Sequence, residues 1–212
     1  MALIPSDFKC PMDMKWHVER IFQGEYDVPV QIPHPIILDI GANVGAFTVW
    51  ASKRWPKSVI HAYEPIKHNF QYLIMNIDSL HCPTQIFAHN LAVLGKDLSR
   101  RRMHLGLHNL GESSFHNLGE QSNQLEKVRV VSARELPAAD IVKIDTEGCE
   151  VEILEGLDLT GTSTIMLEYH GESDRKRILS ILESRFSLLA VDCAIPARGT
   201  MKFVRKVSFR MI

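Results

Sequence analysis

The sequence predicts a single α/β domain in which an open, mostly parallel sheet carries helices on both faces. Three observations lead to this fold class. Short apolar runs alternate with amphipathic stretches along most of the 212 residues, a pattern typical of strand–helix units. The run PIILDI at 35–40 is largely apolar, as expected for a central parallel strand buried on both faces. Only a short turn separates the last two strand-like segments, so we expect them to pair antiparallel.

The elements follow in chain order. The predicted strands are short apolar runs bounded by polar or turn residues, and they are 35–40, 58–64, 84–90, 140–145, 163–170, 186–196 and 200–209. The predicted helices are amphipathic stretches between these strands, and they are 46–54, 66–77, 150–156 and 173–186. Proline residues mark the ends of two of these helices. Pro56 follows the first helix, and Pro65 fits the first turn of the second.

Two segments interrupt this alternation. Residues 1–34 precede the first core strand and predict an N-terminal helical cap on the main domain, 35–212. The apolar residues at helical spacing in the cap are Met14, Val18, Ile21 and Phe22. Residues 95–135 are a long polar connection, and its length is typical of functional lids, so we expect it to face Tyr26 of the cap across a substrate. The lid residues that could contact a ligand are His104, His108, Asn109, Ser113, Ser114 and His116.

Composition and charge narrow the functional classes. The net charge is −1 and no basic stripe is present, so we expect no nucleic-acid partner. No apolar run approaches the ~20 residues that cross a membrane, and the start MALIPSDFKC lacks a signal-peptide pattern, so we expect no membrane partner. The four cysteines show no metal-ligand spacing. We therefore expect a reducing, cytoplasmic location.

A glycine-containing turn follows Asp39 at the end of the first strand. Ligands of open α/β sheets bind at the carboxyl ends of the strands, and glycine lets the backbone approach a ligand because it has no Cβ. The turn reads Gly41-Ala42-Asn43-Val44-Gly45, with Asn43 where the dinucleotide fingerprint has its middle glycine. This disfavours a pyrophosphate and favours S-adenosylmethionine, whose amino and carboxylate ends need an acid and backbone N–H groups. A tight turn that binds nothing is the alternative.

Polar side chains also end the other strands. Glu64 lies 25 residues after Asp39, where a carboxylate can accept hydrogen bonds from both ribose hydroxyls. Asn90 could bind the adenine edge or simply form a turn. The next strand ends on Asp145, whose negative charge would complement a sulfonium or the incoming substrate. Glu147 and Glu150 follow it, and Glu150 fits a helix-capping role.

The last strand end of interest carries Glu168 and His170. These residues are two apart, so they point to the same face of the sheet. Histidine is the natural general base near neutral pH. We therefore expect an acid–histidine pair at the functional edge of the sheet.

Together, these segments resemble the FkbM-type methyltransferases, which use S-adenosylmethionine. The resemblance covers about residues 20–170 and rests on IFQGEY, LDIGANVGAFT, YEP, HNLAV, GESSF, VKIDTEGCEVEILEG and LEYH, in that order. It implies a class I methyltransferase (Rossmann-like) three-layer sandwich, with a seven-stranded, mostly parallel sheet and an antiparallel last strand. It also implies methyl transfer, commonly to a hydroxyl of a sugar or other small natural product.

Carried over residue by residue, the resemblance implies two sets of site residues. The cofactor-binding set is Asp39, Gly41, Ala42, Asn43, Gly45, Glu64, Pro65, Asn90, Leu91 and Asp145. The catalytic set is Asp145, Glu147, Glu168 and His170. We predict that the site aligns nucleophile, carbon and sulfur, and that His170 removes the acceptor proton, oriented by Glu168 or Asp145.

Four alternatives remain at this point. We assign no metal ligand, but Asp145, Glu168 and His170 could instead hold a divalent ion that orients a diol. An amine could replace the hydroxyl as the methyl acceptor. A nucleotide-dependent oxidoreductase would share the sheet and the ribose-binding acid. A module that binds cofactor without turnover is the non-enzymatic alternative, although it would have little need of so many strand-end acids.

Overall fold

Two sheets and five α-helices build the described part of the chain. The structure, a computed structural model, describes residues 3–95, 100–105, 113, 125–195 and 197–206. The strands are β1 (Ile36–Ile40), β2 (Val59–Tyr63), β3 (Gln85–His89), β4 (Ala92–Leu94), β5 (Arg100–His104), β6 (Leu125–Ser132), β7 (Ile141–Ile144), β8 (Thr164–Tyr169), β9 (Phe186–Ile195) and β10 (Arg198–Arg205). The helices are α1 (Lys15–Phe22), α2 (Ala46–Arg54), α3 (Lys67–Asp78), α4 (Glu150–Gly156) and α5 (Glu172–Leu182).

The main sheet has seven strands in the order β3-β2-β1-β7-β8-β10-β9. Its neighbours pair in parallel except at β10, which runs antiparallel to both β8 and β9. Each strand predicted from the sequence is present, and the last strand of the chain is the antiparallel one. The predicted fold class is therefore confirmed.

Each central strand contributes side chains to two cores, because successive residues of a strand point to opposite faces. In β1, Leu38 and Ile40 pack in the core that contains residues of α4 and α5, whereas Ile37 packs with residues of α1 and α2. The same alternation places Asp39 and Lys143 on the α1–α2 face. The polar residues of the central strands therefore gather beneath α1 and α2.

Helix α1 confirms the helix predicted near the N-terminus. Met14, Val18 and Phe22 recur at helical spacing, and all three are buried in the core that Phe47 and Trp50 of α2 share. The helix thus packs directly on the main domain. The division of the chain at residue 34 stays a prediction.

The segment 95–135 differs from its predicted form. Its described ends are strands: β6 pairs in parallel with β4 and antiparallel with β5, and the three form a second sheet. In β6, Val128 is buried while Lys127 and Arg129 are exposed. The sequence did not predict this strand because charged residues interrupt its apolar positions. The lid function of the segment stays a prediction.

Several predicted lid residues cannot be placed. His108, Asn109, Ser114 and His116 lie outside the described residues, whereas Ser113 is described and is buried. Among the residues that the structure describes, no helix has the length and apolar character needed to cross a membrane.

Candidate active site

The turn between β1 and α2 brings the backbone of Gly41 against the end of β7. A Cβ at Gly41 would lie 1.7 Å from the carbonyl oxygen of Asp145, and the φ of Gly41 is +78°. Only glycine satisfies both conditions. Gly45 also has a positive φ, +88°, and a Cβ there would lie 2.7 Å from Cδ1 of Leu73 in α3, so this glycine also allows two helices to pack. Asn43, at φ +52°, adopts the left-handed conformation that asparagine tolerates.

Glu64 at the end of β2 holds this turn in place. Its Oε2 accepts a hydrogen bond from the backbone N–H of Asn43 at 2.9 Å, and its Oε1 accepts one from that of Ile66 at 2.8 Å. Burial raises the pKa of Glu64 to about 7, although the two backbone hydrogen bonds oppose the shift. A buried carboxylate with an ordered backbone around it therefore faces the crevice above the sheet.

A first pocket opens above the carboxyl ends of β1, β2 and β7. Its polar wall includes Glu64 and Asp145, and its apolar wall includes Ile66, Leu91 and Met103. Of the residues predicted to bind the cofactor, those that line this pocket are Gly41, Asn43, Glu64, Pro65, Leu91 and Asp145. The structure therefore brings six of the ten together around one cavity. Ser113 from the predicted lid segment lines the same cavity.

The other four residues of that set lie around this pocket without lining it. The side-chain amide of Asn90 donates to the backbone carbonyls of Glu64 at 2.9 Å and Pro65 at 3.0 Å, so it fixes the end of β2. Gly45 packs on α3, as described above, and Ala42 lines a second pocket described below. The adenine-binding role of Asn90 stays a prediction.

Asp39, the fourth residue of that group, lies under the turn and is fully buried. Its Oδ2 accepts a hydrogen bond from the hydroxyl of Thr48 at 2.6 Å, and its Oδ1 lies 3.3 Å from Nζ of Lys143. Lys143 also donates to the carbonyl of Gly41 at 2.6 Å. Burial acts to lower the pKa of Lys143, but Asp39 and Asp145 outweigh it, and the pKa is raised. A buried cation therefore joins β1 to β7.

Sequence reasoning missed Lys143. Its signal is the strand alternation itself: Lys143 is two residues before Asp145 in an otherwise apolar strand, so both side chains point to the same face. The register of the β1–β7 pair places it opposite Asp39. A charged residue inside a strand buried on both faces must have a partner, and here the partner is on the neighbouring strand.

A second pocket lies beneath α1, on the other side of the turn. Its apolar wall is formed by Met14, Val18, Ile21 and Phe47, and its charged wall by Glu25, Lys143, Asp145, Glu147, Glu168 and Arg198. The hydroxyl of Tyr26, in the same wall, donates to Oδ2 of Asp145 at 3.4 Å. The residues common to both pockets, which we name the shared wall, are Gly41, Asn43, Asp145 and Glu147.

Behind the shared wall, His170 sits among three glutamates. Its Nε2 lies 3.0 Å from Oε2 of Glu147 and 3.4 Å from Oε2 of Glu168, and its Nδ1 lies 3.5 Å from Oε1 of Glu150. Arg198 of β10 contacts Glu147 at 2.7 Å and Glu168 at 3.5 Å. Arg198 was also missed, because nothing in its local sequence marks it.

The ionisation of this group follows from burial and charge. Burial acts to lower the pKa of His170, but the three glutamates outweigh it and raise the pKa to about 12. Burial, with the nearby Glu168, raises the pKa of Asp145 to about 8. With no metal ion bound, His170 is therefore protonated at neutral pH, which disfavours the predicted role of His170 as general base.

The four residues predicted as catalytic do gather in space. Asp145, Glu147, Glu168 and His170 each offer one ligand atom, and these atoms all lie within 4.8 Å of one another. Of the four, Asp145, Glu147 and Glu168 line the second pocket. The arrangement can accept a proton from a bound molecule through a carboxylate, or hold a divalent cation. The catalytic roles themselves stay predictions.

Comparison with solved structures supports the fold. The chain is similar to a precorrin-6y C5,15-methyltransferase from Geobacter metallireducens, with a TM-score of 0.55 and 15% identity over 97% of this chain and 98% of that one. At this level of identity the likeness concerns the fold alone.

Comparison with known sequences identifies the family. The chain is 25% identical to "Methyltransferase 1" of Beauveria bassiana over 166 residues, 67% of this chain and 66% of that protein. It is 24% identical to the hexuronic acid methyltransferase AglP of Haloferax volcanii over 178 residues, 79% and 71% of the two chains. The sequence profile of the methyltransferase FkbM domain matches residues 39–188, more than half of the chain. The protein therefore belongs to the FkbM methyltransferase family.

Proposed function

We propose that this protein transfers a methyl group from S-adenosylmethionine to a hydroxyl of a small-molecule acceptor. The observation that carries the proposal is the shared wall of Gly41, Asn43, Asp145 and Glu147. Two pockets that meet at one polar wall give a donor and an acceptor separate sites with one point of contact. Alignment across such a contact is the main requirement for direct transfer between two bound molecules.

The first pocket fits the donor that the family implies. Glu64 offers a buried carboxylate for the two ribose hydroxyls, and Ile66, Leu91 and Met103 offer an apolar surface for the adenine. Oδ1 of Asn43 is buried in the shared wall without a hydrogen-bond partner among the described residues, so it is available to the amino group of the methionine part. When bound there, S-adenosylmethionine supplies a methyl group that its sulfonium already activates.

The second pocket supports a small acceptor with both apolar and polar parts. One wall is apolar, and the other carries four carboxylates together with Lys143 and Arg198, so it offers both hydrogen-bond acceptors and donors. One relative is named a hexuronic acid methyltransferase, and a sugar-like acceptor suits a pocket that is half apolar and half polar. The absence of a basic patch in the sequence supports a small molecule over nucleic acid.

Asp145 is the residue we assign to accept the acceptor's proton. It lies in the shared wall, and Tyr26 at 3.4 Å and Lys143 at 3.8 Å hold its Oδ2. A hydroxyl held at that wall would be within reach of this carboxylate. His170 lines neither pocket among the described residues, so we assign it a positioning role toward Glu147 and Glu168.

An amine acceptor is the second candidate. The four carboxylates of the second pocket would also hold an ammonium group. The ¹³C chemical shift of a product methyl from labelled S-adenosylmethionine separates O-methylation from N-methylation. An N-methyl product from the preferred acceptor would overturn the hydroxyl assignment.

The proposal is tested by a panel of sugars, uronic acids, phenols and amines, with mass spectrometry for the added methyl group. Ile21→Trp would fill the second pocket from the partly buried face of α1, and we expect turnover to fall while affinity for S-adenosylhomocysteine is kept. Met12→Trp is the matched control, since Met12 is 84% exposed in the preceding turn. Full turnover in Ile21→Trp would show that acceptors do not bind beneath α1. Calorimetry in which NAD binds and S-adenosylhomocysteine does not would overturn the whole proposal.

A further inference from the structure

The side chains behind the shared wall form a donor set for a divalent cation. Glu147 follows β7, whereas Glu168 and His170 come from the end of β8 and the residue after it. With Asp145 they present three carboxylate oxygens and one imidazole nitrogen, all within 4.8 Å of one another. Hard oxygen donors with one imidazole suit cations of the Mg²⁺ and Mn²⁺ class.

The spacing of these atoms fits a coordination shell. In an octahedral shell with metal–ligand distances of about 2.0–2.1 Å, adjacent ligand atoms lie about 3 Å apart. Oε2 of Glu147 lies 3.0 Å from Nε2 of His170, and Oε2 of Glu168 lies 3.4 Å from it. Both distances to Nε2 are therefore close to the spacing of neighbouring ligands of one ion.

The surroundings of His170 give an independent reason to expect a bound ion. Both ring nitrogens are shielded from solvent, and neither makes a well-aligned hydrogen bond with the described residues, although three carboxylates are close. Without an ion, the ring is held by the charge of the three glutamates rather than by aligned hydrogen bonds. An ion on Nε2 would replace that contact by a directed bond.

Glu150 provides the outer-sphere contact that a metal-binding histidine usually has. Its side chain is only 1% exposed, and its Oε1 lies 3.5 Å from Nδ1 of His170. Backbone N–H groups of Thr146 at 2.8 Å and Gly148 at 3.0 Å hold the carboxylate in place. A carboxylate on the far nitrogen orients the ring of a metal-bound histidine.

The charge of the site also matches a divalent ion. Four carboxylates lie in the group, at Asp145, Glu147, Glu150 and Glu168. They face two cations, since Lys143 lies 3.8 Å from Asp145 and Arg198 contacts Glu147 and Glu168. Lys143 also pairs with Asp39 at 3.3 Å, so with a neutral histidine the carboxylates outnumber the cations. Arg198 contacts Oε1 of Glu147, whereas Oε2 of the same carboxylate is the atom that faces His170.

We propose that Glu147, Glu168 and His170 bind one Mg²⁺ or Mn²⁺ ion beside the acceptor pocket, with the carboxylate of Asp145 at the edge of the site to accept the acceptor's proton. Binding of the ion does not depend on the proposed function, but its role does. Glu147 and Glu168 line the second pocket, so an ion there would bind the acceptor hydroxyl and lower its pKa.

The test titrates the metal-depleted full chain with Mn²⁺, followed by electron paramagnetic resonance and calorimetry. We expect one Mn²⁺ per chain, displaced by excess Mg²⁺. Glu168→Gln keeps the shape and removes one ligand charge, so we expect at least about tenfold weaker binding. Glu172→Gln is the matched control, because Glu172 is 48% exposed on α5, and its affinity should stay within about twofold.

Binding of S-adenosylhomocysteine to each variant separates the outcomes. If Glu168→Gln no longer folds, Glu147→Gln replaces it, with the same expected loss. Wild-type protein that binds S-adenosylhomocysteine but not Mn²⁺ would overturn the metal proposal and leave the proposed function standing. Equal Mn²⁺ affinity in Glu168→Gln and Glu172→Gln would overturn it as well. Mn²⁺ binding without any S-adenosylhomocysteine binding would instead contradict the proposed function.

Discussion

Replacing Lys143 by methionine should destabilise the protein strongly, because the change leaves a buried carboxylate without its counter-charge. Lys143 and Asp39 have side-chain exposures of 3% and 0%, and Nζ lies 3.3 Å from Oδ1. At an effective dielectric constant of about 20, two unit charges at that distance attract by about 5 kcal/mol. Breaking buried pairs by removing one partner costs about 3–5 kcal/mol, and we expect Lys143→Met to fall in this range.

A double-mutant cycle separates the charge effect from packing. Methionine keeps most of the volume of lysine, so the loss reports chiefly on the orphaned Asp39. Adding Asp39→Asn removes that charge while an amide oxygen can still accept from Thr48. The double variant should therefore be more stable than the sum of the single changes by about 0.5–3 kcal/mol.

Urea unfolding gives the free energy of unfolding for each variant. Lys176→Met is the matched control, since Lys176 is 71% exposed, and its effect should stay within about 0.5 kcal/mol. A Lys143→Met protein that loses less than about 1 kcal/mol, together with additive effects in the double variant, would refute the buried-pair argument.

Two further predictions concern the first pocket. Burial raises the pKa of Glu64 to about 7, and the protonated side chain cannot accept hydrogen bonds from both ribose hydroxyls. The affinity for S-adenosylhomocysteine, measured by calorimetry, should therefore fall about tenfold from pH 8 to pH 6. Glu64→Gln should bind weakly at both pH values, and a pH-independent wild type would contradict this reasoning. Gly41→Ala should prevent stable folding, because its Cβ would lie 1.7 Å from the carbonyl oxygen of Asp145. Gly161→Ala is the control, because no atom lies within 4 Å of its added Cβ, and it should unfold at nearly the wild-type urea concentration. Equal unfolding midpoints for Gly41→Ala and Gly161→Ala would show that the turn can move.

The second pocket, which we propose for the acceptor, draws much of its wall from outside the part of the chain that matches the family. The match covers residues 39–188, whereas Val18, Ile21 and Tyr26 precede it and Arg198 follows it. Residues that line the first pocket, such as Glu64, lie inside the matched range. We therefore expect acceptor preference to change with α1 and β10 among relatives while the first pocket changes less.

Much of the site could be predicted because its polar residues lie at strand ends, where the local sequence marks them. Acids and amides at the carboxyl ends of parallel strands share one edge of the sheet, which is why Glu64 and Asp145 were found in one cavity. The strands β5 and β6 were missed because charged residues interrupt their apolar positions and weaken the periodic signal. Arg198 was missed because its local sequence resembles that of a surface arginine. Its contacts with Glu147 and Glu168 form only when the chain folds.

The sequence by itself determined the chain order of the main-sheet strands and of the helices, the need for glycine after β1, and the family, because hydrophobic periodicity and turn chemistry are local properties. Only the tertiary structure decided which distant side chains meet. Lys143 reaches Gly41 across 102 positions of the chain and Tyr26 reaches Asp145 across 119. Strand register and helix packing set such contacts, and the resulting burial and charge set the ionisation of each group. That is why His170, a plausible base in the sequence, is held in the fold as a protonated partner of three glutamates or, as we propose, a ligand of a metal ion.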